Sequence, residues 1–329
     1  MPIPLKTGEV LRERYQVQER IGQGGMGNIY QANDLRLEGR KCAIKEVEHD
    51  QNLPENFLRE AREQFLREAT VLARLDHPNL PKVSDFFSID KKDYLVMDFV
   101  PGKDLRTLLL EAKAHNNFLN EADVLDWFSQ LADALTYLHK QTPPIVHRDI
   151  KPSNLKITPD GLLKLVDFGL VKVLAPDEET ITIIQGQGTL LYTPLEQYGG
   201  SENHTDVRSD IYAFGATLYH LLTCQPPSDA RQRFLQPETQ VTPRRLNPSI
   251  SIRTEKAILW AMELHPDQRP DSIDTFRQFL FGTKELPTRP MSRPTRVHTL
   301  GALLQPPESF IFGLSVVLLL LSLITTFGR

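Results

Sequence analysis

Cysteine is nearly absent. The 329 residues hold two, Cys42 and Cys224, which lie 182 positions apart. That excludes a disulfide framework and a cysteine-based metal site, and both read as reduced packing residues of a cytosolic chain. A charge excess of one sign is also missing: Lys and Arg number 38 against 42 Asp and Glu, a net charge of −4. No basic field argues for nucleic acid as a partner. Met1 to Arg20 has no apolar core, so no signal peptide is expected. No internal repeat is present. A long uncharged hydrophobic run occurs near the end, Phe310 to Phe327, eighteen residues.

What is present is a polar constellation in the middle of the chain. Val146-His147-Arg148-Asp149-Ile150-Lys151-Pro152-Ser153-Asn154 sets a Lys two residues and an Asn five residues after an Asp. Leu163-Lys164-Leu165-Val166-Asp167-Phe168-Gly169 follows, with Asp167 eighteen residues after Asp149. Apolar residues bracket both turns, as expected of short strands holding a rigid loop. Phosphoryl transfer from ATP needs such a set. A carboxylate takes the hydroxyl proton, an Asn and a second Asp hold magnesium, and a Lys offsets phosphate charge. H-R-D-x-K-x-x-N followed by D-F-G resembles the eukaryotic-type serine/threonine protein kinases found in bacteria.

The chain before it supplies matching parts. A strand over Tyr15–Ile21 runs into Gly22-Gln23-Gly24-Gly25-Met26-Gly27, and Asn28-Ile29-Tyr30 leaves as a second strand. G-x-G-x-x-G alone also suits dinucleotide folds, but there a helix follows the glycines, and here β-branched and aromatic residues do. One strand later comes Cys42-Ala43-Ile44-Lys45, which resembles the kinase strand whose Lys sits on the α- and β-phosphates. Apolar residues at three- and four-residue spacing predict a helix over 55–75. The resemblance requires one Glu there to pair with Lys45. Glu60, Glu63 and Glu68 compete, and the distance to His77-Pro78-Asn79 favours Glu68. Lys45 to Glu68 is 23 residues, longer than usual, so the helix start or its loop is extended. Strands over 80–87 and 94–100 flank a turn at Asp90–Asp93. Met97-Asp98-Phe99-Val100 resembles the hinge that meets adenine, with Met97 as gatekeeper. The resemblance thus implies a nucleotide site of Ile21, Gly22, Gly24, Gly27, Ile29, Ala43, Lys45, Met97, Asp98, Val100, Asn154 and Asp167.

Beyond Gly102 the pattern is helical, over 104–114 and 122–140, with Trp127, Leu131, Leu135 and Leu138 on one face. The segment from Asp167 to Glu196 carries Thr180, Thr182, Thr189 and Thr193, and it resembles an activation segment. By the same resemblance Thr189 meets the substrate hydroxyl site, Glu196 pairs with Arg269, and Asp210 braces the central loop. Helices are also expected to Leu222, near 253–264 and over 273–280.

These readings imply an α+β, two-lobed protein kinase fold over 9–281. The N-lobe, about 9–97, is β-rich, and the C-lobe, about 102–281, is helical. Asp149 acts as base, Lys151 and Lys45 offset charge, Glu68 supports Lys45, and Asn154 and Asp167 hold Mg²⁺. ATP and protein Ser/Thr hydroxyls are the expected substrates, with no nucleic acid and with homodimerisation open. A pseudokinase scaffold requires a lost Lys, Asp or Asn, and none is lost. Small-molecule phosphotransferases usually lack the Thr-rich segment. Residues 282–308 read as a Pro/Arg-rich linker and 309–328 as a transmembrane helix. At 1.5 Å per residue the apolar run reaches about 27 Å, near the roughly 30 Å of a hydrocarbon core. Lys284, Arg289, Arg293 and Arg296 crowd its N-terminal flank, so the kinase portion is expected on the cytoplasmic side of the cell membrane.

Overall fold

Two-residue alternation builds the first half of the molecule. In the computed structural model, residues 4–24, 27–48, 54–90, 92–167, 172–173, 190–198 and 205–282 are described. Strands β1 (Val10–Leu11), β2 (Tyr15–Gly24), β3 (Gly27–Asp34), β4 (Lys41–Glu48), β5 (Val83–Ile89) and β6 (Lys92–Asp98) form one antiparallel sheet, ordered β1-β2-β3-β4-β6-β5. In β4, Cys42 and Ile44 point into a core with Leu11, Tyr15, Ala32, Phe87, Tyr94 and Val96. Ala43 and Lys45 therefore face the opposite side. The turn after β5 is tighter than expected: Ile89 pairs with Lys92, leaving Asp90 in the left-handed region at φ 55°. Register shifts near Val17 and Arg20 bend β2 toward the glycine turn.

Helix α1 (Glu55–Arg74) lies between β4 and β5 and packs on β5 and β6. It runs for 20 residues, so the length added between Lys45 and Glu68 includes an early helix start. Leu75 turns extended and ends it.

Past the hinge, β7 (Lys103–Asp104) leads into α2 (Leu105–Ala114), whose first turn is capped by Asp104 accepting from Thr107 N–H at 2.8 Å. Helix α3 (Glu121–His139) is capped by Asn120. Its core face is Val124, Phe128, Leu131, Leu135 and Leu138, and Trp127 sits half-buried at the edge rather than on that face. Then come β8 (Ile145–Val146), β9 (Leu155–Ile157), β10 (Leu163–Leu165) and β11 (Lys172–Val173). The apolar residues beside the two central turns announce short strands there, but two or three residues carry no detectable period, so the bounds of these strands are not legible in the sequence.

Helix α4 (Val207–Thr223) forms the centre of the lower lobe and is buried along nearly its whole length. Phe214 meets Phe128 edge-on at 4.7 Å and Phe276 at 5.3 Å, joining α4 to α3 and to the last helix. Each such pair adds about 0.5–1.5 kcal/mol beyond burial. Helices α5 (Ala230–Leu235), α6 (Pro243–Leu246), α7 (Ile252–Ala261) and α8 (Ile273–Leu280) complete the lobe. Among the described residues no helix is long and apolar enough to cross a membrane. The linker and the Phe310–Phe327 run lie outside the described residues.

Candidate active site

The site lies where β3, β4, the hinge and the 147–167 loops converge. Pairing in the sheet places Ile29 opposite Lys45, and Ala43 opposite Met97. Paired side chains share a face, so Ile29, Ala43, Lys45 and Met97 line one wall. Gly22 pairs with Ile29, and Ile21 beside it is 44% exposed. Gly27 has φ +141°, and a Cβ there would lie 2.0 Å from the Glu46 carbonyl oxygen, so only glycine fits. Gly24 ends β2 across from it.

Two features here escape sequence reasoning. The first is Glu46, a fully buried carboxylate that accepts from Asn28 Nδ2 at 2.9 Å, Lys92 Nζ at 3.1 Å and Tyr94 OH at 3.4 Å. It ties the glycine turn to β4. The second is Lys156, whose Nζ donates to the Val100 carbonyl at 2.7 Å. Both partnerships span 46 or more residues for the lysines, beyond any local pattern. The visible signal for Lys156 was a charge in the otherwise apolar triplet of β9. The Asp98 carboxylate is drawn away from the cleft by Arg40 at 3.3 Å and the Lys82 N–H at 3.3 Å.

The central loop is held from below. Asp210, fully buried on α4, accepts from the His147 N–H at 2.9 Å, the Arg148 N–H at 2.8 Å and His139 Nε2 at 2.9 Å. Burial alone would lift its pKa, yet the His139 bond, the neighbouring histidines and the Arg148 N–H hold it below the usual carboxylate range. This grip maintains Arg148 at φ +68°, a left-handed conformation costing about 1 kcal/mol or more for a side-chain-bearing residue. Thr217 adds a second support, donating to the Ile150 carbonyl at 3.2 Å.

Above that support, one oxygen of Asp149 is occupied. Its Oδ2 accepts from Lys151 Nζ at 2.8 Å and Asn154 Nδ2 at 2.9 Å. Asn154 also donates to the Asp149 carbonyl at 2.8 Å, locking the turn Pro152–Asn154. Oδ1 of Asp149 is buried and has no hydrogen-bond partner among the described residues. An oriented carboxylate with one spare oxygen can accept a proton from an incoming hydroxyl.

Asp167 also sits at a left-handed φ, +69°, and forms an ion pair with Lys45. Burial pushes its pKa up, and the Lys45 charge and hydrogen bond overcome that and hold it below the ordinary value. Phe168 and Gly169 lie outside the described residues. Asp167 and Asn154 offer a carboxylate and an amide oxygen, hard donors suited to Mg²⁺. Among the described residues no cluster of three His, Cys, Asp or Glu forms a metal site. Mg²⁺ commonly takes one or two protein ligands with phosphate and water oxygens, and these two residues would suit that role.

Glu68 does not pair with Lys45 in this structure. Lys45 reaches Asp167 instead, and Glu68 accepts from Gln64 Nε2 at 3.0 Å, one helical turn back. Burial raises the Glu68 pKa, opposed by Gln64, Arg148 and Lys45, so it lies within their fields. Glu60 and Glu63 are exposed. Asn79, in the loop after α1, is tied to β10, its side chain donating to the Leu163 carbonyl at 2.8 Å and its carbonyl accepting from the Leu165 N–H at 2.8 Å.

Farther down, Arg269 grips Glu196 through two bonds of 2.6 and 3.0 Å. It also donates to the carbonyls of Glu263, Leu264 and Arg208. Thr193 is buried, whereas Thr180, Thr182 and Thr189 lie outside the described residues.

Residues 15–300 match the protein kinase domain family. The chain belongs to the protein kinase family. The chain is 36% identical over 269 residues to a probable serine/threonine-protein kinase of Clostridium acetobutylicum, covering 80% of this chain and 38% of that one. It is 34% identical over 274 residues to the serine/threonine-protein kinase PrkC of Bacillus subtilis, covering 81% and 40%. The chain thus spans about two-fifths of the length of these two relatives. Among solved structures it resembles PpkA-294 in its apo form, with a TM-score of 0.66, 26% identity and coverage of 84% and 99%. The Mycobacterium tuberculosis PknI kinase domain gives a TM-score of 0.63 at 25% identity, covering 84% and 99%.

Proposed function

We propose that the chain is a serine/threonine protein kinase that moves the γ-phosphoryl of ATP to protein hydroxyls. The observation that carries this is the half-occupied Asp149 carboxylate. Oδ2 is fixed by Lys151 and Asn154, and Oδ1 remains for the proton of a substrate hydroxyl. Lys151 lies beside that oxygen pair and would offset charge on the moving phosphoryl, with Lys45 doing so on the phosphates behind it. Asp167 and Asn154 would hold Mg²⁺, which when bound neutralises phosphate charge. Asp149→Asn should abolish transfer while nucleotide binding stays within about threefold, because the carboxylate acts on the hydroxyl. A radiolabel assay beside a fluorescent-nucleotide titration checks this, and normal labelling by the variant would refute the assignment.

The Phe310–Phe327 run and its basic flank support a single membrane anchor with the kinase on the cytoplasmic side. Full-length protein should then resist carbonate extraction from membranes, and release by carbonate would overturn the anchor. Autophosphorylation rests on Arg148 beside Asp149, a cation that a phosphorylated threonine could meet. The burial of Thr193 directs that expectation to Thr180, Thr182 and Thr189. Mass spectrometry of active protein showing all three unmodified would count against it.

A further inference from the structure

The base end of the cleft holds a cation that phosphoryl transfer does not use. Lys156 lies on β9 next to Leu155, which is fully buried in the lower lobe. Alternation turns the Lys156 side chain the other way, toward the hinge. Its Nζ donates to the Val100 carbonyl at 2.7 Å and lies 5.6 Å from the centre of the Phe99 ring. Burial draws its pKa down, opposed by the charge of Asp104, the β7 residue paired with it.

The hinge backbone offers three groups in order: the Asp98 carbonyl, the Val100 N–H and the Val100 carbonyl. Adenine presents an amino donor beside the N1 acceptor, and the first two groups satisfy it. Guanine presents the O6 acceptor beside the N1–H donor. In the adenine register both would meet their own kind. Moved one step along, O6 can meet the Val100 N–H, but N1–H then needs the Val100 carbonyl. That carbonyl already accepts from Lys156, whose positive charge also faces the incoming N–H. The carbonyl keeps a second lone pair, but a donor that must share the oxygen with a facing cation is poorly satisfied, and a poorly satisfied buried donor is how a polar site rejects the wrong ligand.

We infer that Lys156 sets purine specificity: by engaging the Val100 carbonyl it disfavours guanine nucleotides in the base site. This rests on the kinase reading of the hinge. The test uses the full chain with casein as a generic substrate and compares ATP with GTP. Wild type should prefer ATP in kcat/KM by about 100-fold, within the range that polar discrimination reaches. Lys156→Met should shrink that ratio about tenfold, mainly through a lower KM for GTP, while Lys156→Arg should keep it within about threefold. A merely structural role would weaken both nucleotides together and leave the ratio unchanged. If Lys156→Met does not turn over, the ratio is read from ATP and GTP competition against a fluorescent nucleotide. An unchanged ratio in Lys156→Met, or a wild type indifferent to the base, overturns the inference. Ala43→Leu separates the two readings, since it narrows the wall opposite Met97 and should raise the ATP KM about tenfold or more. If it does not, the hinge reading fails; if it does while Lys156→Met leaves the ratio intact, only the Lys156 assignment falls.

Discussion

Asp210→Asn keeps the shape of a fully buried side chain and removes its charge. The native carboxylate accepts three bonds, two from backbone N–H groups and one from His139, all of 2.8–2.9 Å. An amide has one oxygen. Its NH2 must face either the Arg148 N–H or the His147 and His139 donors, so at least one buried donor loses its acceptor. The remaining bonds lose their charge assistance. At about 1.5–3 kcal/mol per bond to a charged group, the total is about 3–5 kcal/mol. A domain of this size has roughly 5–15 kcal/mol in all, and about 2–4 °C of Tm per kcal/mol. The melting temperature should therefore fall by about 6–20 °C. The pH dependence adds a second readout. Because the folded pKa of Asp210 lies below the ordinary 3.8, its contribution is fully present above that value and is lost as pH falls below it. Wild type should lose stability below about pH 4 more steeply than the variant. Turnover should fall at least about tenfold, since Arg148 is released from its left-handed backbone and Asp149 loses its aim. Calorimetry across pH 3–7 reads the stability terms. A melting point within about 2 °C of wild type, with a matching acid limb, would refute the bracing argument.

Other perturbations follow from the same geometry. Arg269→Ala leaves Glu196 in a largely enclosed site and should cost about 3–5 kcal/mol, read by urea unfolding; a loss under about 1 kcal/mol would mean the pair is compensated. Glu68→Gln should lower kcat at least about tenfold, whereas Glu60→Gln and Glu63→Gln, on exposed positions, should be nearly silent. If Glu63→Gln proves the damaging change, the register assigned to α1 is wrong. A chain ending at Phe281 should stay soluble and keep activity on casein, and a truncated chain that fails to fold would show that the tail belongs to the lobe.

The parts legible in the sequence were those whose physics is local. The alternation of Cys42 and Ile44 against Ala43 and Lys45 announces a strand with one face on a core. The spacing of Asp149, Lys151 and Asn154 announces a closed turn, because all three must hydrogen-bond one another across five residues. The Glu196–Arg269 pair lies far apart in the chain and was reached through resemblance. Its added bonds to three carbonyls depend on where α4 begins and α7 ends, which no pattern records. Glu46, His139 and Lys156 stayed hidden for the same reason. Each is an ordinary charged or polar residue whose meaning comes from a partner brought by folding. Glu68 is a different case: the motif names Lys45 as its partner, and in this structure Lys45 pairs with Asp167 while Glu68 bonds Gln64.

Gly102 closes the hinge in a conformation that favours glycine. At φ +98°, a Cβ on this residue would sit 2.0 Å from the Ile157 carbonyl oxygen, so main chain rests directly on main chain. Side chains can swap rotamers and absorb a shift, but two backbones in contact cannot. This point is therefore fixed. Sliding across it would drive Gly102 into β9. Because Lys156 lies beside Ile157 on that strand, the bond it makes to Val100 is anchored at the same fixed point.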